Sequence, residues 1–438
     1  MNLNDVLKIY KNPRADEQEM LCRRGIANVD AVRATVEDIV ERVRCEGDDA
    51  LRDYAQRFDG ATLTDLKVSQ EEIDAAENAV DSSLKEALKT AYNNIYAFHA
   101  AQRMHPVQVE TMPGVVCSQR AVPISRVGLY IPGGNAPLFS TVLMLAIPAK
   151  IAGCRSIVMC TPCDRSGHVN PAILYAARLA GVTDIYKVGG AQAVAAMAFG
   201  TQSVPQCYKI FGPGNRFVVF AKMLVAQMGV AIDMPAGPSE VLIVADESAN
   251  PTFVAADFLS QAEHGPDSQS ILVTTSEELA RAVANECGRL LETLPSRDMI
   301  LKSLAHSHLI TFDSDEAMMN FANLYAPEHL IINHLRAEQL AEAVVNAGSV
   351  FLGPYACESA GDYASGTNHT LPTAACATAF SGVNLDSFVK KITFQTISAD
   401  GIATLGPTIE TMANGESLSA HALAATVRID YVNKSRKQ

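Results

Sequence analysis

Apolar side chains recur at every third or fourth position through much of residues 31–104, which is the spacing of amphipathic helices. From about Gln108 the pattern changes to short apolar runs that alternate with helix-like segments. The predicted strands are VGLYIP, SIVMCTP, DIYKV and KIF, followed after Ala231 by EVLIVAD, SILVTT, HLITF and SVFLG. This alternation predicts parallel βαβ units.

The alternating pattern occurs twice, so it divides the chain into two α/β blocks, at about residues 127–240 and 241–382. Residues 1–25 are polar and helix-prone, and we expect them to form an N-terminal helical arm. We assign the long helices of residues 26–126 to the same domain as residues 241–382. The tail, residues 383–438, carries too little apolar sequence for a core of its own, so we expect it to dock on another surface, such as a partner subunit.

Composition narrows the class of protein. The net charge of −13 argues against a non-specific nucleic-acid binder. The longest apolar run without charge, residues 127–149, is interrupted by prolines and glycines, which favours buried core over a membrane span. The N-terminus is polar and charged, unlike a signal peptide, and the chain has ten cysteines. We therefore expect reduced thiols and a cytoplasmic location.

Four polar clusters could supply metal ligands. In LSQAEHGPDSQ, Gln261 and His264 are three residues apart, which places both on one helix face next to a Gly-Pro break. A glycine-rich loop carries Asp362, and His421 lies in the last predicted helix. Imidazole nitrogens combined with harder oxygens suit zinc or a similar divalent ion. Spacing alone also fits four separate polar loops with no metal.

Glu328 and His329 stand side by side in YAPEHLI and are the best candidates for a general base. Histidine titrates near neutral pH, and an adjacent carboxylate can tune it or share its work. The alternative interpretation is a surface Glu-His pair at the end of a helix.

Four glycine-rich loops, YIPGGNAP, VGGAQAVAA, FGPGN and PAGPSE, fall where predicted strands end. Backbone N–H groups at helix N-termini bind phosphate, so a nucleotide could bind there. The dinucleotide fingerprint GxGxxG is absent, and on pattern alone these glycines also fit ordinary turns.

Taken together, the motifs resemble the histidinol dehydrogenase family over about residues 20–430. The motifs, in chain order, are LYIPGG, VGGAQA, FGPGN, IDMPAGPSEVL, LSQAEHGPDSQ, YAPEHL, GDYASGTNHTLPT and ESLSAH. The resemblance implies two Rossmann-like domains, in which mostly parallel sheets are flanked by helices, with a small C-terminal dimerisation tail. It implies a zinc-dependent, NAD-linked oxidation of L-histidinol, through the aldehyde, to L-histidine, the last step of histidine biosynthesis. It also implies a homodimer whose tails cross to the partner subunit.

The resemblance also assigns roles to residues of this sequence. The implied zinc ligands, which also border the substrate, are Gln261, His264, Asp362 and His421. The implied proton-transfer pair, also at the substrate, is Glu328 and His329. Further substrate contacts would be Ser239, His369 and Glu416, and NAD contacts would be Tyr130, Gln192 and Asn215. Glu416 and His421 would come from the second subunit.

Other functions remain open at this point. A related zinc-dependent NAD dehydrogenase of another small primary alcohol could use the same scaffold. A zinc hydrolase is disfavoured by the glycine loops and by the lack of HExxH, and the intact Glu328-His329 pair argues against a non-catalytic binder. For the aldehyde step, a thiolate of Cys117 or Cys154 is an alternative to activated water, but neither cysteine has an evident base nearby in sequence.

Overall fold

The computed structural model describes residues 7–24, 30–133, 137–235 and 237–436. These residues belong to two units. The larger unit comprises Met1–Gln102 and Ile124–Phe388, and the smaller unit comprises Arg103–Pro123 and Val389–Gln438.

The first sheet of the larger unit has five parallel strands in the order β6-β5-β4-β7-β8. Its strands are β4 (Arg126–Tyr130), β5 (Ser156–Thr161), β6 (Asp184–Lys187), β7 (Lys209–Phe211) and β8 (Ala231–Ile232). The connecting helices are α6 (Phe139–Ala152), α7 (Pro171–Leu179), α8 (Gly190–Phe199) and α9 (Arg216–Gln227). β4 is the first of these strands along the chain, and the later strands add on both sides of it, so the direction of winding reverses at the boundary between β4 and β7.

The leading helices pack on this first sheet, which corrects the predicted grouping of residues 26–126 with residues 241–382. These helices are α2 (Asp30–Glu46), α3 (Asp48–Tyr54), α4 (Gln70–Ala79) and α5 (Ser82–Ala101). α2 contacts α8 and α9, α4 contacts α7, and α5 contacts α6. Their apolar faces share cores with the first sheet: Val36 is in one cluster with Val194, and Ile95 is in another with Leu143. Periodicity identified the helices but carried no information about which sheet would cover their apolar faces.

The second sheet has six parallel strands in the order β1-β11-β10-β9-β12-β13. Its strands are β1 (Lys8–Lys11), β9 (Glu240–Ala245), β10 (Gln269–Thr274), β11 (His308–Thr311), β12 (His329–Asn333) and β13 (Ser349–Leu352). Its helices are α10 (Pro251–Ala262), α11 (Glu277–Leu291), α12 (Arg297–Leu304), α13 (Asp315–Tyr325), α14 (Ala337–Ala341) and α15 (Glu358–Tyr363). Strands β9 and β10 are buried at every position, as expected for a parallel sheet that is covered on both faces.

The N-terminal segment differs from the predicted helical arm. Its only described helix is the short α1 (Ala15–Leu21), and Lys8–Lys11 instead form the edge strand β1, paired in parallel with β11. The reason is that β11 would otherwise leave its outer backbone groups unpaired at the sheet edge. The segment therefore contributes a strand to the second sheet, and the predicted α/β fold with mostly parallel sheets is confirmed.

The smaller unit combines most of the tail with Arg103–Pro123, which corrects the predicted grouping of these residues with residues 241–382. β2 (Val107–Met112), β3 (Val115–Pro123) and β14 (Val389–Ile397) form an antiparallel sheet in the order β14-β3-β2. Two contacting helices follow, α16 (Ala399–Gly415) and α17 (Ser419–Ser435). On α17 the apolar side chains of Leu423, Val427 and Tyr431, spaced four apart, are exposed within the chain. Among the described residues, no helix is both long and apolar enough to cross a membrane.

Candidate active site

Helix α10 positions the first two candidate ligands. Asn250 caps its start, accepting a hydrogen bond from the Thr252 N–H at 2.9 Å, and Pro251 occupies the first helical position. The helix ends with Glu263 as its C-cap. Gln261 is completely buried in the last turn, whereas His264, just beyond the end, leaves about half of its side chain exposed. The helix end therefore sets one buried amide and one accessible imidazole three residues apart.

Helix α15 brings two carboxylates to the same place. Glu358 and Asp362 lie one helical turn apart, and His264 Nε2 is 3.7 Å from Glu358 Oε1 and 3.8 Å from Asp362 Oδ2. Their ligand atoms all lie within 4.8 Å of one another. With its amide nitrogen turned towards Glu358, Gln261 donates to the two carboxylate oxygens at 2.8 and 3.3 Å. Imidazole nitrogen and carboxylate oxygens at this spacing fit a divalent metal such as zinc.

The structure thus brings Gln261, His264 and Asp362 together and adds Glu358, which the sequence analysis missed. A signal was available, because Glu358 and Asp362 stand four residues apart in ESAGDY, the spacing of neighbours on one helix face. Glu416 and His421 belong to the smaller unit, where Glu416 caps the end of α16, His421 lies in the first turn of α17, and both are exposed. Their participation in this site stays a prediction.

His329 is the first residue of β12, between β9 and β13, and Glu328 immediately precedes the strand; both side chains are buried. The backbone of Glu240, the first residue of β9, contacts both: its N–H donates to Glu328 Oε2 at 2.9 Å, and its carbonyl lies 3.3 Å from His329 Nδ1. A carbonyl only accepts, so Nδ1 carries the proton. His329 Nε2 lies 3.5 Å from Asp362 Oδ1 and has no hydrogen-bond partner among the described residues. The ring therefore presents Nε2 towards the carboxylate cluster.

Burial and charge shift the pKa values in this cluster. Burial raises the pKa of Glu328 to about 8, against the opposing effect of His329, and raises the pKa of Glu358 to about 8. For His329, burial acts to lower the pKa, but the surrounding carboxylates of Glu358, Glu328 and Asp362 outweigh it and raise the pKa to about 10. A cation bound here would favour the ionised carboxylates and the neutral imidazole, and would lower all three pKa values.

His369 is held by both ring nitrogens. Nδ1 lies 2.9 Å from the backbone carbonyl of Asp362, and Nε2 lies 3.1 Å from the hydroxyl of Thr141 on α6. The neighbouring Asn368 donates to the carbonyl of Met144, also on α6, at 2.6 Å. These bonds attach the segment that follows α15 to α6, a helix of the first sheet. Ser239, which immediately precedes β9, is half-buried.

The three candidate NAD contacts lie at the carboxyl end of the first sheet. Tyr130 ends β4, and its buried hydroxyl accepts from the Gly190 N–H at the start of α8, at 3.1 Å. Gln192 is buried in the first turn of α8. Asn215 caps α9, accepting hydrogen bonds from the N–H groups of its first turn, and is exposed. In doubly wound sheets, ligands bind at this edge, where the direction of winding reverses.

Glycine is required in the FGPGN loop next to these residues. Gly212 has a φ of +129°, and a Cβ there would lie 2.1 Å from the Tyr130 carbonyl oxygen. The loop therefore approaches the end of β4 more closely than any other residue type would allow.

Comparison with known proteins assigns the chain to a family. The family model described as histidinol dehydrogenase matches residues 22–429. The chain belongs to the histidinol dehydrogenase family. A histidinol dehydrogenase from Bacteroides thetaiotaomicron is 57% identical over 426 residues, which cover 97% of this chain and 99% of the relative. The histidinol dehydrogenase from Escherichia coli K12 is 50% identical over 432 residues, 98% of this chain and 99% of the relative.

The structural comparison agrees with this family. A crystal structure of histidinol dehydrogenase from Elizabethkingia anophelis has a TM-score of 0.95 and 50% sequence identity, and the match covers 98% of this chain and 99% of that one. The resemblance drawn from the ordered motifs is thereby confirmed.

The two cysteines considered as nucleophiles have different surroundings. Cys154 is buried in the core beside the first sheet, with Sγ 3.7 Å from the Phe388 carbonyl, and burial raises its pKa to about 11. Cys117 lies in β3 of the smaller unit. A buried thiol with a raised pKa is a poor nucleophile at neutral pH.

Proposed function

We propose that this chain is a zinc-dependent L-histidinol dehydrogenase, which oxidises L-histidinol through L-histidinal to L-histidine with two molecules of NAD. The observation that carries the proposal is the buried pair Glu328 and His329 beside the group His264, Glu358 and Asp362, in a chain of the histidinol dehydrogenase family. The site therefore combines a base with a place for a cation.

The residues present fit a bound zinc ion. Gln261, His264 and Asp362 would hold it, together with His421 of a second copy of the chain, and Glu358 would hold the Gln261 amide in place. When bound, zinc would orient the imidazole and amine of the substrate and withdraw electron density from it. The donor set of one imidazole, one carboxylate and one amide from this chain leaves room for further ligands.

His329 takes the alcohol proton in this proposal. Because its Nδ1 donates to the Glu240 carbonyl, Nε2 is the atom that would accept the proton. The surrounding carboxylates raise the pKa of His329, and a cation held by them would offset that effect and leave Nε2 unprotonated. Loss of the hydroxyl proton to Nε2 and of a hydride from the adjacent carbon converts the alcohol to the aldehyde, and NAD accepts the hydride.

Glu328 acts in the second oxidation. The aldehyde first adds water, whose proton goes to the Glu328 carboxylate, and the hydrate then loses a proton to His329 as a second hydride leaves. Two adjacent bases suit a site that runs two oxidations, of which one consumes water. The Glu240 N–H holds Glu328 through Oε2, so the other carboxylate oxygen is not used by that hydrogen bond.

Substrate and NAD contacts complete the proposal. Ser239, His369 and Glu416 would contact the substrate, and Glu416 would pair with its ammonium or imidazole. Because both nitrogens of His369 are already occupied, a substrate contact there requires the bond to Thr141 to open. Tyr130, Gln192 and Asn215 would contact NAD at the end of the first sheet.

We further propose a cytoplasmic homodimer with shared active sites, in which the partner supplies Glu416 and His421. All ten cysteines lie in described residues and are free, as expected in a reducing compartment. The exposed apolar side chains along α17 would be covered in such a dimer.

The experiment that tests the proposal is the yield of NADH per L-histidinol consumed, with purified zinc-loaded protein and excess NAD. Two NADH per alcohol support the double oxidation. One would mean that the aldehyde escapes and that Glu328 does not activate water. None, in a folded dimer, would favour the alternative of a related zinc-dependent dehydrogenase, which a panel of other small primary alcohols would then identify.

A further inference from the structure

We infer that Arg24 and Glu240 form a positioning pair that fixes the orientation of Glu328 and His329. The inference rests on the proposed function, because it assumes that these two residues carry out proton transfer. It assigns a role in the reaction to the N-terminal segment, residues 7–24.

The pair is buried and bidentate. Arg24 Nε donates to Glu240 Oε2 at 2.7 Å and Nη2 donates to Oε1 at 2.9 Å, while the two side chains are only 11% and 1% exposed. Two parallel bonds between a planar guanidinium and a carboxylate allow only one relative orientation. The carboxylate of Glu240 is thus held in one place.

Arg24 itself is fixed by three further contacts. It donates to the backbone carbonyls of Tyr325 and Cys22, and its guanidinium lies over the Tyr325 ring, 3.7 Å from the centroid. The Tyr325 hydroxyl in turn donates to Gln269 Oε1 at 2.7 Å, at the start of the neighbouring strand β10. The guanidinium is therefore fixed relative to the second sheet through Tyr325 and Gln269. Its two hydrogen bonds then fix the Glu240 carboxylate relative to the same sheet.

The backbone of Glu240 contacts both residues that we propose as bases. Its N–H holds Glu328 and its carbonyl holds Nδ1 of His329, so a single residue sets both proposed bases. A shift of the Glu240 backbone would move the Glu328 carboxylate. The same shift would break the hydrogen bond that keeps the proton on Nδ1 of His329. Neither Arg24 nor the Glu240 carboxylate accepts or donates a proton in the reaction, so they are positioning residues.

A merely stabilising role is the alternative. Buried ion pairs often contribute little net stability compared with apolar residues of similar size, because burying the charges costs about as much as their attraction returns. Stability alone therefore gives a weak reason for the pair, whereas placement of two bases requires a fixed geometry.

The test is the single-turnover rate of NADH formation in the zinc-loaded dimer, compared between the parent, Arg24→Lys, Glu240→Gln and the control Arg23→Lys. Arg23 is the exposed neighbour of Arg24. Lysine keeps the charge of Arg24 but loses the bidentate geometry, so we expect the rate to fall by about tenfold or more, since small displacements of reacting groups are costly. We expect the KM for NAD to stay within about twofold, since its proposed site lies on the other sheet. Arg23→Lys should match the parent.

A double-mutant cycle separates positioning from general stability. If Arg24 acts through His329, the proposed base of the first oxidation, then Arg24→Lys should slow the residual first turnover of the His329→Asn enzyme much less than it slows the parent. Independent, multiplicative losses would overturn the inference. An Arg24→Lys rate within twofold of the parent rate would also overturn it. So would a rise in the KM for NAD as large as the fall in rate.

The proposed function fails in a different way. If Glu328→Gln and His329→Asn themselves keep the full rate, the catalytic assignment is wrong whatever Arg24 does. If Glu240→Gln does not fold, the double-mutant cycle with Arg24→Lys still tests the inference without it.

Discussion

Lys222 and Asp233 form a buried ion pair, with Nζ 2.5 Å from Oδ1, and together they hold both backbone groups of Gly212. Lys222 Nζ donates to the Gly212 carbonyl at 2.8 Å, and the Gly212 N–H donates to Asp233 Oδ2 at 2.8 Å. This glycine belongs to the FGPGN loop that leads to Asn215 and approaches the end of β4. The pair therefore determines where the proposed NAD loop lies.

Replacement of Lys222 by Met should weaken NAD binding and destabilise the fold. The change leaves the Asp233 carboxylate buried without its partner, which typically costs about 3–5 kcal/mol. We expect the KM for NAD to rise by about tenfold with little change in the KM for L-histidinol, because only the loop is displaced. Urea unfolding and steady-state kinetics measure the two effects.

Arg178→Met is a suitable control for that experiment, because Arg178 forms an exposed pair with Glu77 at 2.7 Å. Its loss should cost less than about 1 kcal/mol. An unchanged KM for NAD in Lys222→Met would show that the loop does not depend on the pair.

Glu358→Gln should weaken zinc binding. The carboxylate accepts from Gln261 and faces His264, so its loss releases a group that orients two proposed ligands. Such changes typically reduce metal affinity or activity by about 10–100-fold. Competition with a chromogenic chelator measures the affinity. Glu263→Gln is the matched control, since Glu263 caps the same helix end but is exposed and bonds to Ser296. Equal affinities in both variants would contradict the role of Glu358.

Asp257→Asn should remove a pH-dependent loss of stability. Asp257 lies one turn before Gln261 on α10, and burial raises its pKa to about 7. The folded protein thus keeps a proton that the unfolded chain loses near pH 4, so stability falls as pH rises from about 4 to 7 and the cost is complete above 7. Denaturant unfolding of the metal-free protein at pH 5 and pH 8 should show a smaller difference for Asp257→Asn than for the parent. Asp267→Asn, at an exposed position, should behave like the parent. Parallel profiles for Asp257→Asn and the parent would refute the burial effect.

Cys154→Ala should retain most of the activity, whereas His329→Asn should lose it. Cys154 packs in the core with a pKa raised to about 11 by burial, so its thiol is protonated at neutral pH and cannot attack an aldehyde. Initial rates with L-histidinol and with its aldehyde measure both steps. A folded Cys154→Ala enzyme that reduces no NAD with the aldehyde would favour the thiolate route instead.

Local pattern was sufficient for much of this protein. Apolar runs predicted eight of the eleven described strands of the two sheets, but not β1, β8 or β12. The spacing of Gln261 and His264 predicted that they lie close together, because a helix turns once in 3.6 residues, and the structure places Gln261 in the last turn of α10 and His264 just beyond it. The general-base candidates Glu328 and His329 are adjacent in sequence. Such relationships join residues that are close along the chain, so local backbone geometry is enough to predict them.

Relationships between distant segments were decided only by the tertiary structure. The sequence predicted β1 as part of a helical arm and placed the helices of residues 30–101 with the wrong sheet, because an apolar face does not specify which surface will cover it. Arg24 and Glu240 had no distinguishing pattern, since their roles come from contacts with residues far away in sequence. The four-residue spacing of Glu358 and Asp362 was visible, but it did not show that Glu358 would lie beside Gln261. The sequence by itself determined the elements, the ordered motifs and hence the family. Packing decided which polar groups are buried together, and burial is what makes a carboxylate or an imidazole chemically special.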